Sequence, residues 1–478
     1  MRLNIQEIDA LKDNILKEIL RADFDIKKIK TEDNNVETAS PVKRNGIFDC
    51  IDRAVEEAKK AQKILFGMKL QMRELIIEAI RREATLHIEA LSKLAVEETG
   101  MGRVEDKILK NRLVINNTPG LEDLKAFAIT GDDGLTVMEL SPYGVIGAIT
   151  PSTNPSETIL CNSIGMIAAG NSVVFAPHPG AKKTSLMTIE IINKAIKSVG
   201  GPENLVVSIN NPSIEGTNRM MKNKEIKMLV ATGGPAIVEA VMSTGKKAIG
   251  AGAGNPPVLV DASADIEKAA RDIISGASLD NNLPCIAEKV VVAVEDIADY
   301  LMFEMQKRGA YLIKDKNLVK NLEDLVIPQG KPNRKYIGKD AGYILEELGI
   351  EAGDDTRIII VETKKDHPLA VEEQLMPVLP IIRVKDEVEG LELCKKLEGG
   401  LRHTAMIHSK NIDVLTKYAR DMETTILVKN GPSYAGIGFN GEGYSTFTIA
   451  GPTGEGLTSA RTFARNRRCV LVGGFSIK

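Results

Sequence analysis

The stretch LDNNLPCIAEK, residues 279–289, is the one around which the rest of this chain is organised. It places Cys285 in a loop-like Asn, Leu and Pro segment, between a glycine-interrupted apolar run and the β-branched run Val290–Val292. A thiol held by a turn between two packed elements can serve as a nucleophile if it is partly exposed and made more acidic by nearby dipoles. A single cysteine is more often a small buried apolar residue, so this interpretation depends on other parts of the chain.

Length, composition and charge exclude several classes of protein. A chain of 478 residues is too long for one core and predicts two or three domains. The net charge of −3, the 4% aromatic content and the absence of Trp argue against a nucleic-acid partner. Five scattered cysteines without a CxxC pair indicate a reducing compartment, and the five histidines show no metal-ligand spacing. With no apolar run of membrane-spanning length and no secretory signal, we expect a cytoplasmic enzyme that has no structural metal and no membrane partner.

Hydrophobic periodicity predicts an α/β protein. Residues 48–100 show the pattern of two long helices, and strands are predicted at Leu135–Leu140 and Val145–Ile149. Strands and helices then alternate to about residue 252, which predicts a parallel, doubly wound, Rossmann-like sheet. A second α/β block follows, with a helix predicted at Ile266–Ser278 and a strand at Val290–Val294. The chain ends in an apolar strand, Cys469–Val472, that could pair with another subunit.

The N-terminal residues form a separate unit. Apolar residues fall near helical spacing over residues 1–21, and residues 22–45 have the charged, polar composition of a linker. Two interpretations have equal support from the pattern. The helix either docks on its own subunit or serves as a peptide for a groove on a partner.

Three further stretches carry residue types suited to a site. Pro151–Pro155 follows a predicted strand and offers the amide of Asn154 as an oxyanion donor. Ala231–Pro235 joins a strand to a helix through two glycines, as phosphate-binding turns do. Glu372–Val378 places two carboxylates before an apolar run. Taken singly, each is better explained as a turn or a solvated loop.

Taken together and in this order, these stretches resemble the aldehyde dehydrogenase superfamily, most closely its coenzyme-A-acylating branch. The resemblance runs from about Gly46 to the C-terminus and rests on Ser141–Gly147, Thr150–Pro155, Gly250–Pro257, the Cys285 loop, Gly400–Thr404 and Gly454–Arg461. It implies the aldehyde dehydrogenase fold, with a cofactor-binding domain at 46–252, a catalytic domain at 253–438, and a return to the first domain at 439–478. A hairpin near 121–141 and the final strand would form a small β element for a homo-oligomer, either a dimer or a tetramer.

The resemblance also implies the roles of individual residues. Cys285 matches the catalytic thiol, and Asn154 matches the Asn that binds the oxyanion together with a backbone N–H. Glu373 matches the Glu that holds the nicotinamide ribose. The residues implied to line the cofactor cleft are Thr150, Pro151, Ser152, Pro177, His178, Gly233, Gly234, Gly252, Glu373 and Leu375. No metal ligand is implied. We interpret His403 and Cys161 as structural residues.

Two departures from the broader superfamily are informative. Hydrolytic members carry a water-activating Glu where this chain has Gly250, and the acylating branch shares this loss. Ala176 and Pro179 replace the Lys and Glu that usually hold the adenosine ribose, so NAD is the branch's default and NADP stays open.

The resulting prediction is a CoA-acylating aldehyde dehydrogenase that uses NAD and takes a two- to four-carbon aldehyde, with propionaldehyde favoured. Two alternatives are a hydrolytic or semialdehyde dehydrogenase and an inactive scaffold for microcompartment cargo. Acylating enzymes of bacterial microcompartments carry a comparable N-terminal helix. Residues 1–21 are therefore predicted to bind a shell or cargo protein, which places the enzyme inside such a compartment in the cytoplasm.

Overall fold

The structure, a computed structural model, describes residues 45–353 and 355–477. The helix predicted for residues 1–21 and nearly all of the predicted linker lie outside the described residues. Among the described residues, no helix is both long and apolar enough to cross a membrane.

Helices and strands alternate along most of the described chain. The helices are α1 Ile51–Gly67, α2 Leu70–Leu86, α3 Ile88–Thr99, α4 Val104–Asn117, α5 Pro155–Ala168, α6 Lys182–Ser198, α7 Ile214–Lys222, α8 Pro235–Met242, α9 Ile266–Ser278, α10 Glu295–Gln306, α11 Lys316–Val326, α12 Ala341–Glu347, α13 Pro368–Val371, α14 Glu387–Glu398 and α15 Ile412–Met422. The predicted pair of helices over residues 48–100 is wrong in number, because breaks at Met68–Lys69 and at His87 divide the segment into three helices.

The strands fall into three main sheets and one short pair. They are β1 Ile47–Phe48, β2 Phe127–Gly131, β3 Gly134–Pro142, β4 Val145–Thr150, β5 Ser172–Pro177, β6 Val206–Ile209, β7 Ile226–Thr232, β8 Lys247–Ala251, β9 Pro257–Val260, β10 Val290–Val294, β11 Ala310–Ile313, β12 Ile358–Glu362, β13 Val378–Val384, β14 Thr404–His408, β15 Ile426–Lys429, β16 Ile449–Ala450, β17 Gly456–Leu457 and β18 Ala464–Val472.

The first sheet is parallel and has the order β1-β6-β5-β4-β7-β8. Every residue of β4 and β5 is buried, as expected for strands that are covered by helices on both faces. The chain leaves β4 toward β5 on one side and later returns to pair β7 on the other side, so the strand order reverses at β4. Ligands of doubly wound sheets bind beyond the carboxyl ends of the strands at such a reversal. The predicted Rossmann-like sheet is confirmed.

The second sheet is also parallel and has the order β11-β12-β13-β10-β9-β14-β15. Five residues connect the carboxyl end of β8 in the first sheet to the amino end of β9 in the second. The segment that carries Cys285 leads into the buried central strand β10. The carboxyl edge of the first sheet therefore adjoins the amino edge of the second.

The third sheet is antiparallel, with β3 between β18 and β2. The hairpin predicted near residues 121–141 is present as β2 and β3, and its first residues, Leu121–Asp123, form a 3₁₀ turn. The final strand is longer than predicted and pairs with β3 of its own chain over nine residues. Eight of those nine residues are exposed, which leaves one long edge and an apolar end uncovered.

Candidate active site

A tight turn holds Cys285 at the junction of the two large sheets. After α9 ends at Ser278, Asp280, Asn281 and Asn282 all adopt left-handed backbone conformations, with φ values of 49°, 56° and 66°. Asp and Asn tolerate this conformation better than other residues with a Cβ atom, which explains the DNN sequence. The Nδ2 group of Asn282 donates to the carbonyl oxygens of Ala277 at 2.7 Å and Glu288 at 3.0 Å. One side chain thus ties together both ends of the segment that carries the thiol.

A buried lysine fixes the same segment from its other end. Lys289 Nζ donates to the main-chain oxygen and to Oδ1 of Asn282, each at 2.6 Å, and lies 3.3 Å from the carbonyl oxygen of Pro284. Burial lowers the pKa of Lys289 to about 8, against the attraction of Glu373, Cys285 and Glu288. An ammonium group at this position is therefore costly to bury, and the three oxygens offset part of that cost.

A charged cluster lies behind the turn. The Asp280 carboxylate is fully buried and accepts from Lys107 Nζ at 2.9 Å, from Lys110 Nζ at 2.6 Å and from the Arg103 backbone N–H at 2.8 Å. Burial alone would raise the pKa of Asp280, but the two ammonium groups outweigh it and the net shift is downward. The cluster joins α4 to the turn that precedes the nucleophile.

Asn154 lies at the carboxyl edge of the first sheet, immediately before α5. Pro155 occupies the first helical position, where a missing N–H costs nothing, and the Asn154 side chain makes no cap hydrogen bond. Its Oδ1 instead accepts from Lys110 Nζ at 2.5 Å. Lys110 therefore contacts both Asn154 and the Cys285 turn, which brings the two predicted catalytic residues to one site.

The Cys285 thiol is not acidified as expected, because its pKa lies above the usual value. The side chain is partly exposed, as expected, but burial and then the charge of Glu373 raise the pKa of the thiol to about 12. The positive charges of Lys289 and Lys110 act in the opposite direction without cancelling these effects. The sequence indicated a thiol in a turn, but it did not show how much apolar surface would cover that thiol.

Glu373, Gly254 and His403 surround the backbone of Cys285. The Gly254 N–H donates to Glu373 Oε1 at 3.4 Å, and a Cβ atom on Gly254 would lie 2.9 Å from the Cys285 carbonyl oxygen and 2.8 Å from His403 Cγ. Glycine at 254 thus allows three segments to meet. The interpretation of His403 as a satisfied structural residue is only half correct. Its Nδ1 bonds Thr404 Oγ1 at 2.9 Å, whereas the buried Nε2 has no partner. Burial lowers its pKa to about 4, so the ring is neutral.

The residues predicted to line the cofactor cleft follow the ends of neighbouring strands. Thr150 and Pro177 end β4 and β5, Gly233 and Gly234 follow β7, and Gly252 follows β8. The Thr150 hydroxyl is buried without a partner, and a Cβ atom on Gly234 would meet nothing within 4 Å. An unpaired hydroxyl beside an open helix N-terminus fits a dinucleotide pyrophosphate. The other predicted residues lie on the segments that continue from β4, from β5 and from α13: Pro151, Ser152, His178, Glu373 and Leu375.

Comparisons with known proteins agree with this geometry. Residues 32–320 and 356–458 match the aldehyde dehydrogenase family. A CoA-propanoylating propanal dehydrogenase of Citrobacter freundii is 48% identical over 477 residues, which is 100% of each chain. A crystal structure of Rhodopseudomonas palustris propionaldehyde dehydrogenase, with bound CoA and an acylated cysteine, is 54% identical with a TM-score of 0.89, covering 91% of this chain and 99% of that one. A propionaldehyde dehydrogenase from the fucose utilisation microcompartment of Clostridium phytofermentans is 53% identical with a TM-score of 0.90, covering 91% and 100%.

The chain belongs to the aldehyde dehydrogenase family. Its similarity to CoA-acylating members over nearly its whole length confirms the predicted branch, fold and enzyme class. No residue from Gly250 to Gly254 carries a carboxylate. A Cβ atom on Gly250 would lie 2.5 Å from Val238 Cγ1, so a side chain at this position would require Val238 to shift.

The sequence reasoning did not identify the buried cations of this aldehyde dehydrogenase site. Lys107 and Lys110 lie three residues apart on α4, about 170 residues from the turn that they contact. Lys289 stands at the end of the stretch that carries Cys285, where nothing in the local sequence marks it as buried. A usable signal was present in α4, because both lysines stand on its apolar, inward face together with Leu113 and Val114. A lysine on such a face requires a buried acidic partner.

Proposed function

We propose that this aldehyde dehydrogenase converts a two- to four-carbon aldehyde, CoA and NAD into the acyl-CoA and NADH, with propionaldehyde as the favoured substrate. The observation that carries the proposal is the placement of Cys285. The thiol lies in a fixed turn that Lys110 connects to the Asn154 amide. This turn adjoins the carboxyl edge of the first sheet, where a dinucleotide could bind. The similarity to CoA-propanoylating relatives supports the choice of aldehyde and of acceptor.

The first half of the reaction forms a thioester on Cys285. Cys285 first releases its thiol proton to solvent. The thiolate then attacks the carbonyl carbon, and a C–S bond forms while the carbonyl π electrons move to oxygen. The resulting alkoxide accepts hydrogen bonds from Asn154 Nδ2 and a backbone N–H, and one such donor is worth roughly 3 kcal/mol. NAD, when bound, supplies the hydride acceptor. Reformation of the C=O bond breaks the C–H bond, and the acyl group stays on sulfur.

The second half transfers the acyl group to CoA. The CoA thiolate attacks the thioester carbonyl, the new C–S bond forms, and the Cys285–acyl bond breaks to return the protein thiolate. Water is a poor competitor because residues 250–254 offer no base to deprotonate it. This absence disfavours the hydrolytic alternative. The placement of the nucleophile Cys285 and the oxyanion donor Asn154 at one site also disfavours an inactive scaffold.

The direct test measures NADH absorbance with acetaldehyde, propionaldehyde and butyraldehyde, each with and without CoA. With CoA we expect steady turnover, with the highest kcat/KM for propionaldehyde. Apolar pockets distinguish neighbouring homologues by about 1–3 kcal/mol per methylene. Without CoA we expect a burst of at most one NADH per active site. Steady NADH formation together with free carboxylic acid would contradict the acylating assignment.

We further propose that residues 1–21 are a targeting peptide and that the enzyme works inside a bacterial microcompartment as a homo-oligomer. Support for the location comes from the pattern of the first 45 residues and from the microcompartment origin of a relative that is 53% identical. Support for the oligomer comes from the uncovered end of β18, where Val470, Leu471 and Val472 are 54%, 48% and 80% exposed.

A further inference from the structure

The Lys110 ammonium group is buried beneath the active site, close to three oxygen atoms. Its Nζ atom lies 2.5 Å from Asn154 Oδ1, 2.6 Å from Asp280 Oδ2 and 3.1 Å from Glu157 Oε1. The first two oxygens accept hydrogen bonds from the ammonium group, and the Glu157 carboxylate forms an ion pair with it. One of the three oxygens belongs to the oxyanion donor, one to the turn that carries the nucleophile, and one to the helix that follows Asn154. Lys110 thus connects the parts that must align for acylation.

This contact determines which way the Asn154 amide faces. A lysine ammonium group donates and never accepts, so the amide oxygen must point toward Lys110 and Nδ2 must point away from it. The nearest protein partner of Nδ2 is Thr153 Oγ1 at 3.3 Å, which is a long and weak contact. The N–H bonds of the amide therefore remain the groups that can donate to a substrate oxygen. A charged donor on Oδ1 also polarises the amide, which strengthens its N–H donors.

Lys107 provides an internal comparison. It is as deeply buried as Lys110, lies three residues earlier on α4 and binds the same oxygen of Asp280, at 2.9 Å. Its other contact is the Thr153 carbonyl oxygen at 3.2 Å, and it makes no hydrogen bond to Asn154. The two lysines therefore share their role in the charged cluster and differ in their contact with the amide.

We propose that Lys110 is a positioning residue for the acylation step, holding the Asn154 amide with its N–H bonds toward the substrate oxygen and polarising that amide. The inference rests on the proposed function, because it requires Cys285 as the nucleophile and Asn154 as the oxyanion donor. Lys110 acts through Asn154 and does not touch the reacting atoms. Removing Lys110 therefore slows acylation only when Asn154 is present.

The test is a double-mutant cycle on the full-length enzyme with the pre-steady-state NADH burst as its readout. Asn154→Ala should slow the burst roughly 100-fold or more, the usual effect of losing one oxyanion donor. Lys110→Met should slow it roughly 10- to 100-fold with little change in the KM for aldehyde, since ground-state binding is not affected. In the Asn154→Ala background, Lys110→Met should change the burst rate less than about threefold, since the two residues act as one unit.

Controls separate positioning from general damage to the fold. Lys107→Met removes an equally buried cation, and we expect a similar loss of thermal stability but less than about a tenfold slower burst. If Lys110→Met fails to fold, the double variant Lys110→Met/Glu157→Gln takes its place in the cycle. The double variant removes one cation and one anion together, so the net charge of the buried cluster stays the same.

Each outcome decides a different claim. Equal slowing by Lys110→Met with and without Asn154 would overturn the positioning role, and so would a Lys110→Met burst within threefold of wild type. An unchanged burst in Asn154→Ala would instead contradict the proposed oxyanion assignment, which makes failure of that assignment distinguishable from failure of the Lys110 inference.

Discussion

Lys289 Nζ bonds both the main-chain oxygen and the side-chain oxygen of Asn282, each at 2.6 Å, so these two residues close a loop around Cys285. Asn282 lies three positions before the thiol and Lys289 four positions after it. Both side chains are buried, with exposed fractions of 2% and 4%. The loop is therefore held by a fixed side-chain pair as well as by its backbone turns.

Lys289→Met should destabilise the protein and slow acylation. The substitution leaves the two Asn282 oxygens without their buried donor, and an unsatisfied buried polar group costs about 1–3 kcal/mol. Urea unfolding gives the loss of stability, and the NADH burst gives the acylation rate. Lys385→Met is the matched control because that side chain is 77% exposed, and it should leave both quantities unchanged. A Lys289→Met enzyme with wild-type stability would show that the backbone turns alone maintain the conformation of the loop.

Cys285→Ala should abolish NADH formation, and Cys285→Ser should nearly do so, because the proposed mechanism places the acyl group on this thiol and a serine hydroxyl is a far weaker nucleophile than a thiolate. The measurement is twofold: NADH absorbance, and mass spectrometry of enzyme quenched after mixing with propionaldehyde and NAD without CoA. Wild-type enzyme should carry a propionyl group on the Cys285 peptide. Cys50→Ser alters an exposed cysteine and should keep full activity. An adduct on a different residue would refute the assignment.

Alkylation of the unliganded enzyme should become faster with rising pH over a wide range. Burial and Glu373 raise the pKa of Cys285 to about 12, so the thiol is mostly protonated at neutral pH. The reactive thiolate fraction then grows about tenfold per pH unit. Iodoacetamide inactivation followed from pH 7 to pH 10, with mass mapping of the Cys285 peptide, should give a slope near one on a logarithmic plot. A plateau below pH 9 would mean that the thiol is more acidic than its surroundings indicate.

Gly250→Ala should destabilise the protein. A Cβ atom at this position would lie 2.5 Å from Val238 Cγ1 in the packed layer between β8 and α8. Overpacking of this kind costs about 1–3 kcal/mol. Gly67→Ala, at the end of α1 where a Cβ atom meets nothing within 4 Å, is the control and should be neutral or slightly stabilising. Urea unfolding of both variants measures the difference, and equal stabilities would mean that Val238 moves aside without cost.

Deletion of residues 1–21 should leave kcat and stability in solution within twofold of the full-length enzyme and should remove association with purified microcompartment shells. The physical reason is that the predicted linker separates this segment from the catalytic fold. Co-sedimentation with shells measures association, and NADH absorbance measures activity. Loss of folding after the deletion would support the alternative in which the helix docks on its own subunit.

The sequence was informative wherever a local pattern determined the structure. The helix Ile266–Ser278 and the strand Val290–Val294 have the predicted bounds, because a 3.6-residue period and a β-branched run specify them without help from distant residues. Of the two breaks in residues 48–100, at Met68–Lys69 and at His87, only one was expected, because breaks of one or two residues hardly interrupt an apolar helical period. Cys285 and Asn154 could be chosen from motifs, whose order along the chain resembled a known family.

The electrostatic environment of the site could not be predicted in the same way. The pKa of Cys285 depends on how deeply the thiol is covered and on where Glu373 and Lys289 lie around it, and no local pattern encodes those positions. The contact between Lys110 and Asp280 joins residues 170 positions apart. That Lys110 on α4 and Asp280 after α9 form a buried ion pair becomes evident only when the two sheets are seen docked together.

That buried pair has a consequence for how the enzyme is made on the ribosome. Lys107 and Lys110 are synthesised long before Asp280, so the emerging N-terminal half holds two ammonium groups that have Glu157 as an acidic neighbour but still lack their main counterion. Those groups stay hydrated until the second half arrives, since an unpaired charge resists burial. A nascent or truncated chain therefore cannot bury these two lysines before Asp280 is present. The turn that positions Cys285 packs against α4 only after translation has passed that aspartate.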